Sequence, residues 1–234
     1  MIKVISEDFS SLGRVGGWLL RRAVPGLLAA SVSVSAMAQN TSWWRDIRND
    51  RASAVAEQLR AGADPNQVTD KGEPALMQAV RDDAWEVFDV ILADSRTDVN
   101  IMNGVQETPL MYTALTGQLS RSQALVKRGA EVNRLGWTPL HYAAAKGHAD
   151  VAKWLIGLKA IVNAPSPDGT SPLMMAMRAN SVDTVQVLVD AGADPSQRNL
   201  QGQDAIDMAK QFGNERLADA MEKLVQGRRK AQGR

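Results

Sequence analysis

The chain is 234 residues long and carries 27 Lys and Arg against 26 Asp and Glu, with no cysteine. So balanced a charge lacks the basic excess that phosphate backbones attract, which excludes nucleic acid as the expected partner. Without cysteine there are no disulfide bonds and no thiol chemistry, so a folded domain must be stabilised by burial of apolar surface.

The first 38 residues differ from everything that follows. Residues 1–22 contain four basic side chains, an apolar run extends from Ala23 to Ala36, and Ala36-Met37-Ala38 precedes Gln39. These are the parts of a cleavable export signal, and a run of 14 residues is shorter than the roughly 20 that span a bilayer. We expect cleavage near Ala38, no stable membrane insertion afterwards and a periplasmic mature protein. The pair Arg21-Arg22 leaves the general secretory and twin-arginine routes both open.

The mature chain from residue 39 onward is nearly neutral. It keeps 23 basic and 24 acidic residues once the four basic and two acidic residues of 1–38 are set aside. Four of the positive charges lie at the extreme end, in Arg228-Arg229-Lys230 and Arg234. We expect a folded domain over residues 39–225 and a basic disordered tail over residues 226–234.

One pattern recurs through residues 41–225. Its first landmark is a Thr-Pro pair or a related pair: Thr41-Ser42, Pro74-Ala75, Thr108-Pro109, Thr138-Pro139, Ser171-Pro172 and Asp204-Ala205. The second members of these pairs are 33, 34, 30, 33 and 33 residues apart. A turn containing Gly-Ala or Asn follows in phase, and the units therefore begin near residues 41, 74, 108, 138, 171 and 204.

The clearest unit runs from Thr138 to Asn163 and reads TPLHYAAAKGHADVAKWLIGLKAIVN. This stretch resembles the ankyrin repeat, whose period is about 33 residues. The resemblance implies an all-α solenoid of about six helix-turn-helix units with short β-hairpin fingers. It also implies a protein that works by binding other proteins.

The same unit can be interpreted physically. Thr138 and Pro139 are good first residues of a helix, and Gly147 ends that helix. Apolar residues at three-to-four spacing predict a second helix through Val151, Ala152, Leu155 and Ile156. Neither helix can cover its apolar face alone, so stacking of units must bury the core. The Asn103-Gly104 and Asp168-Gly169 steps predict tight turns in the fingers.

Departures from the pattern predict local weaknesses. Arg121-Ser122 occupies an apolar pair in unit three, which should leave that interface under-packed. Lys159 stands where a left-handed Gly normally follows the second helix, at a cost of about 1 kcal/mol. The connection from Asn133 to Pro139 is three residues shorter than its counterpart in the next unit, so this finger should be stunted. Ser95-Arg96-Thr97 replaces Gly-Ala and adds a residue.

The two ends of the repeat array are expected to act as caps. Unit one opens with Trp43-Trp44 followed by polar Arg45-Asp46. Unit six has polar residues at positions that are apolar in the other units: Asp207, Lys210 and Glu222.

The family resemblance also implies a binding site on the concave surface, formed by fingers and the ends of first helices. Carried over position by position, it predicts a central patch of Trp137, Leu115 and Lys146. The expected rim contains three charged residues: Glu107, Arg81 and Arg178. Aromatic and Arg side chains dominate binding hot spots. The alternative for Trp137 is that it folds over the stunted finger and fills space there.

Residues that could carry chemistry are few. His141 and His148 fall on positions whose family role is hydrogen bonding, and no cysteine or third histidine accompanies them as a metal ligand. Several methionines at first-helix positions fit core packing, with copper binding or an oxidation-sensitive groove as the alternative. These methionines are Met77, Met111, Met174, Met175 and Met177. We expect no enzymatic activity, no cofactor and no bound metal.

The sequence therefore predicts a monomeric periplasmic module that binds a protein partner of unknown identity. Two alternatives stay open. One is an accessory factor for a redox or stress-response enzyme of the cell envelope, which exposed methionines would favour. The other is a secreted effector that engages a host protein, which would need a different export route.

Overall fold

The computed structural model describes residues 42–231 and residue 233. The predicted export signal therefore lies outside the described residues. Within them the chain forms twelve helices arranged as six helix-turn-helix units, which confirms the predicted all-α repeat solenoid. None of these helices is both long and apolar enough to cross a bilayer.

Each unit joins a first helix to a second helix, and each first helix begins one residue after the predicted unit start. The pairs are 42–48 (α1) with Ala52–Arg60 (α2), Ala75–Arg81 (α3) with Trp85–Ala93 (α4), Pro109–Leu115 (α5) with Leu119–Lys127 (α6), Pro139–Lys146 (α7) with Ala149–Gly157 (α8), Pro172–Arg178 (α9) with Val182–Asp190 (α10), and Ala205–Gln211 (α11) with Glu215–Ala231 (α12). The last helix continues into the segment predicted as a tail from residue 226.

A reciprocal cap starts most first helices. The side chain of the N-cap residue faces the amide of the third helical residue, whose own side chain accepts from the N-cap amide. That second acceptor differs between units: Met111 Sδ for Thr108, His141 Nδ1 for Thr138, Met174 Sδ for Ser171 and Asp207 Oδ2 for Asp204. At the position where the family pattern has histidine, methionine is thus both a buried core residue and the acceptor of the helix cap. In unit two the N-cap is Pro74, which has no N–H to satisfy.

A residue with positive φ turns the chain from each first helix into its second. The predicted Gly147 has φ 74° and is the C-cap of α7. The other units use small or polar residues suited to this conformation: Asp50, Asp83, Gly117, Asn180 and Gly213.

Asparagine side chains connect successive units in a ladder. Each amide donates to a main-chain carbonyl of the following unit and accepts from an amide two residues beyond that carbonyl. The four rungs are Asn66 to Arg96 and Asp98, Asn100 to Gly129 and Glu131, Asn133 to Lys159 and Ile161, and Asn163 to Gly192 and Asp194. Bidentate bonding to backbone explains why Asn recurs at this landmark of the sequence.

The turn after the second helix departs from Gly in two units. Lys159 has φ 66°, which confirms the left-handed conformation predicted for it. In unit two the extra residue is held by polar contacts instead. There Arg96 pairs with Asp94 at 2.6 Å, and Thr97 Oγ1 donates to the carbonyl of Ile91. The Arg96 hydrogen bond lowers the pKa of Asp94 to about 2.

Unit three lacks an apolar pair at the interface of its second helix. Ser122 is fully buried, and its hydroxyl donates to Thr113 Oγ1 at 2.9 Å. Arg121 turns outward, pairs with Asp89 at 2.8 Å and lies 4.9 Å from the ring centre of Trp85. A hydrogen bond inside and a cation-π contact outside thus replace apolar packing at this interface.

The first unit is capped less simply than expected. Trp43 is buried, as an end cap requires, but Asp46 is buried too, at 5% exposure. Its carboxylate accepts from Gln58 Nε2 at 3.0 Å and lies 3.4 Å from an Arg51 nitrogen. The expected polar surface at Asp46 is therefore an internal hydrogen-bonded group. In unit six Lys210 and Glu222 form an ion pair at 2.5 Å.

Candidate binding surface

Loops that we call fingers project between consecutive units and form one wall of the concave surface. We number them by the units that they join: finger 1/2 (residues 67–73), finger 2/3 (101–107), finger 3/4 (134–137), finger 4/5 (164–170) and finger 5/6 (197–203). Four of them end in the same three-residue hairpin loop, closed by a pair of main-chain hydrogen bonds. These loops lie between Thr69 and Glu73, Asn103 and Glu107, Ser166 and Thr170, and Asn199 and Gln203.

The last loop residue of each full-length finger has positive φ. It is glycine in three fingers, Gly72, Gly169 and Gly202, but Gln106 in finger 2/3, with φ 65°. The Asn103-Gly104 turn is therefore present, but Gly104 is not its left-handed residue. Asn103 closes the turn because its Oδ1 accepts from the amides of Val105 and Glu107.

Finger 3/4 is shorter than the other fingers, as its length in the sequence predicts. Among the described main-chain hydrogen bonds, none closes a hairpin loop within it. Arg134 instead extends to finger 2/3, where it donates to the carbonyl of Gln106 at 2.6 Å. The concave wall is therefore lower at finger 3/4, whose Gly136 lies close to the ring of Pro167 in finger 4/5.

Apolar side chains are exposed along the finger tips. Val105 is 70% exposed, Leu135 is 96% exposed and Leu200 is 79% exposed. Val68 and Met102 are about half exposed. This row was not predicted from the sequence, because the family positions used for that prediction lie at the finger bases. Apolar residues beside turn-forming Gly and Asn were the available signal.

A chain of polar contacts crosses the concave surface from unit two to unit four, and we call it the polar strap. Arg81 donates to the hydroxyl of Tyr112 at 2.7 Å, and that hydroxyl donates to Glu107 Oε2 at 3.1 Å. Tyr142 donates to the other oxygen of Glu107 at 2.6 Å. Glu73 lies 3.2 Å from Arg81.

The polar strap is largely buried, which determines its electrostatics. Burial raises the pKa of Glu73, and Arg81 opposes that shift only in part. Burial and the nearby Glu107 also raise the pKa values of Tyr112 and Tyr142, so both phenols stay protonated as donors. Two of the predicted rim residues, Arg81 and Glu107, are therefore engaged within the protein.

The predicted central residues have different environments. Trp137 is half-buried against the core, with its ring edge-to-face on His141 at 5.2 Å. Leu115 is only 6% exposed, so the expectation that it forms part of an exposed patch is wrong. It lies at the last position of α5, where its side chain packs into the core instead of extending into the groove. Lys146 is exposed, as expected.

A second aromatic residue lies near the C-terminal end of the concave surface. Phe212 is 46% exposed, and the guanidinium of Arg178 lies 4.7 Å from its ring centre. The predicted rim residue Arg178 is thus held by an aromatic ring. Phe212 follows α11 at the repeat position that Lys146 occupies in unit four, so this position was the available signal.

Both histidines make hydrogen bonds that join neighbouring parts of the fold. His141 is fully buried; Nδ1 faces Thr138, and Nε2 lies 3.0 Å from the carbonyl of Thr170 in finger 4/5. Burial lowers the pKa of His141 to about 4, so the ring is neutral and Nε2 is the donor. His148 Nε2 lies 3.0 Å from the carbonyl of Leu115 in the preceding unit. Among the described residues no group of three or more potential metal ligands occurs.

The five first-helix methionines are all core residues. Met77, Met111, Met174 and Met177 are fully buried, and Met175 is 4% exposed. Their thioethers fill the stack between units and offer no soft surface to a metal or an oxidant.

Comparison with known proteins agrees with this architecture. The family model described as "Ankyrin repeats (3 copies)" matches residues 46–134, 76–166 and 123–199. These matches cover more than half of the chain, and the protein belongs to the ankyrin-repeat family. Ankyrin repeats indicate a protein–protein interaction module.

Similar curated proteins include the Ankyrin repeat and SAM domain-containing protein 6 of Rattus norvegicus, 30% identical over 57% of this chain and 17% of that protein. The Nuclear factor NF-kappa-B p105 subunit of Gallus gallus is 30% identical over 55% of this chain and 14% of its own length. The Neurogenic locus notch homolog protein 4 of Homo sapiens is 38% identical over 39% of this chain and 5% of its own length. The matched regions thus cover less than a fifth of each of these relatives.

Proposed function

We propose that this protein is a non-enzymatic module that binds a partner protein through its concave surface. The observation that carries the proposal is the row of exposed apolar finger tips beside the exposed ends of the first helices. Val105, Leu135 and Leu200 are each at least 70% exposed, more than the exposed apolar residues outside the fingers, of which Val182 is 62% exposed and Ile161 54%. Exposed apolar surface rimmed by polar residues is typical of interaction sites.

Within this surface the proposed contacts are revised from the sequence-based set. Trp137 and Lys146 remain at its centre, and Phe212 with Arg178 forms its C-terminal end. Arg81 and Glu107 contribute through the polar strap, which keeps the neighbouring fingers in place. Leu115 is left out because it is buried.

The location of the mature protein belongs to the same proposal. We propose export to the periplasm, with cleavage near Ala38, and a monomeric mature chain. N-terminal sequencing of protein purified from native cells tests this directly. A mature chain that begins at Gln39 is the expected result, and a chain that begins at Met1 would refute the cleavage.

The accessory role in envelope redox chemistry loses its main support. That alternative depended on exposed methionines, whereas the five at first-helix positions are buried. A protein-binding role requires no such exposure.

The decisive experiment is crosslinking of the tagged full chain in native cells, followed by quantitative mass spectrometry. A double variant, Leu135→Glu with Leu200→Glu, places charge on the finger tips. Ser120→Glu with Val182→Glu adds the same two negative charges at exposed second-helix positions and is the matched control. A partner retained by the control and lost by the finger variant supports the proposal; one retained by both would refute the concave site.

A further inference from the structure

The hydrophobic core divides into two clusters. The first contains buried residues from unit one through Leu110, Tyr112 and Leu125 of unit three, and the second runs from Met111 and Leu115 to unit six. Among the described residues, Val132 and Trp154 pack against both clusters, and both are only partly buried. A repeat array is stabilised by contacts between neighbouring units, so a divided core marks a weak junction.

The second-helix layer is interrupted in the same region. Helices α2 and α4 lie against each other, as do α8 and α10, whereas α6 lies less close to α4 and α8, and α10 lies less close to α12. Towards unit two, α6 is held by the pairing of Arg121 with Asp89 and by burial of Leu125 in the first cluster. Towards unit four, Leu119 of α6 packs against the edge of the second cluster. Leu125, the buried apolar residue of α6, belongs to the first cluster, whereas the buried residues of α8 belong to the second. In the second-helix layer, the weaker side of α6 is therefore the one that faces unit four.

The shortest finger, finger 3/4, lies at this junction as well. Finger 4/5 is bonded to finger 5/6 through the Leu200 amide and the Asp168 carbonyl, at 2.8 Å. Finger 1/2 contacts finger 2/3 through Glu73 and Asn103 at 3.4 Å. The stunted finger 3/4 lies between these two pairs and is bonded to finger 2/3 through the side chain of Arg134.

Polar contacts dominate what crosses the junction outside the first-helix layer. Tyr142 bonds Glu107, Arg134 bonds the carbonyl of Gln106, and His148 bonds the carbonyl of Leu115. The first helices α5 and α7, by contrast, lie close together along small buried residues such as Ala143 and Ala144. The bonds of Arg134 and His148 are at most partly buried and can be exchanged with water at small net cost, whereas close apolar packing cannot.

We propose that the junction between units three and four is a hinge about the α5–α7 contact, which changes the width of the concave surface. The second-helix layer lies on one side of this pivot and the fingers lie on the other. Opening of the layer between α6 and α8 therefore brings finger 2/3 and finger 4/5 towards each other, and the stunted finger leaves room for that movement. Hinge movements of packed blocks about a few contacts are a common form of conformational change.

Distance measurements on the full chain test the hinge, and the absence of native cysteine makes double labelling simple. The second residue of every second helix is exposed, which gives equivalent label positions. Two pairs span the junction, Glu86→Cys with Asp150→Cys and Ser120→Cys with Asp183→Cys. Two control pairs do not: Ser53→Cys with Ser120→Cys, and Asp150→Cys with Arg216→Cys. All four pairs are two units apart.

Pulsed electron resonance of spin labels should give spanning distributions broader than the controls by about two-fold or more. Equal widths in all four pairs would overturn the hinge. The variant Arg121→Val with Ser122→Ala copies Val151-Ala152 of unit four and should narrow the spanning distributions. If it folds and leaves their width unchanged, the polar pair is not the cause of the loose junction.

The effect of the hinge on binding rests on the proposed function. A partner captured by the finger surface should shift the spanning distances and leave the control distances unchanged. If a partner binds without any shift, the link between hinge and groove fails while the binding function stands. If the junction is broad but no partner is captured at the fingers, the binding function fails while the hinge stands.

Discussion

The carbonyl of Lys159, a residue with φ 66°, accepts a 2.9 Å hydrogen bond from Asn133 Nδ2. The equivalent carbonyls on neighbouring rungs belong to Gly129 and Gly192, with φ 95° and 89°. The asparagine ladder thus holds this turn in a left-handed conformation whether or not the residue suits it. Lys159 therefore adopts a strained backbone because its inter-unit bonds require that shape.

Replacement of Lys159 by Gly should stabilise the protein. The left-handed conformation costs a residue with a Cβ about 1 kcal/mol, and the extra freedom of Gly in the unfolded chain offsets part of the gain. We expect the free energy of unfolding in urea to rise by several tenths to about 1 kcal/mol. The reciprocal change, Gly192→Lys, is the matched control and should be destabilising. A loss of stability in Lys159→Gly would contradict the strain argument.

His141 should make stability depend on pH. Its pKa is lowered to about 4 in the folded protein, below the ordinary value of about 6.5, because the ring is buried. Between these values the unfolded chain takes up a proton that the folded protein does not. Stability contributed by the neutral ring is therefore complete above pH 6.5 and decreases as the pH falls towards 4, by up to about 1.4 kcal/mol per pH unit.

His141→Met isolates this contribution, because Met111 and Met174 occupy the same cap position in neighbouring units. The variant loses the bond to the Thr170 carbonyl and should be less stable at pH 7. Its stability should nevertheless fall less steeply between pH 6.5 and 4 in urea titrations. Parallel curves for the two proteins would show that His141 is not responsible for the dependence.

Much of the fold is accessible from the sequence because it repeats. Every first helix begins with a residue that the Thr-Pro landmark marks, and Lys159 adopts the conformation that its position predicts. These features depend on local backbone geometry, which residue type largely determines. Helix starts, turns and the stunted finger were predicted for this reason.

The candidate surface is less predictable because exposure depends on neighbouring units. Leu115 occupies the position of Ala145 in the next unit, which is partly exposed, yet Leu115 packs inward. The polar strap links Arg81 to Tyr112, 31 residues away, so no local pattern reveals it. Sequence position gives the face of the solenoid, but it does not give the partner of each side chain.

Loss of the Tyr112 hydroxyl should weaken the polar strap. Tyr112→Phe removes one acceptor of Arg81, which keeps Glu73 at 3.2 Å, and removes one donor to Glu107. Buried polar groups that lose a partner cost roughly 1–3 kcal/mol. We expect a loss of that order in urea unfolding at pH 7. A double-mutant cycle with Arg81→Met measures the coupling of the pair. Strictly additive losses would mean that Arg81 and Tyr112 contribute independently.

Unfolding should not be a single transition, because the core divides at unit three. In a nearly one-dimensional array, stability is a sum of unit and interface terms, and a weak interface separates two cooperative blocks. Hydrogen exchange of the full chain can be followed on peptides in increasing urea. The exchange rates of α3 and α4 should rise together at one urea concentration, and those of α9 and α10 should rise together at another.

The same experiment on Arg121→Val with Ser122→Ala is the internal control. Apolar residues at these two positions should pack α6 into the core as Val151 and Ala152 pack α8, so the two sets of peptides should converge on one transition. Two blocks that persist in a folded variant would move the weak point from α6 to another contact of the junction. A single transition in the unaltered chain would show that the strongly packed first-helix layer is enough to couple both blocks, despite the division of the core.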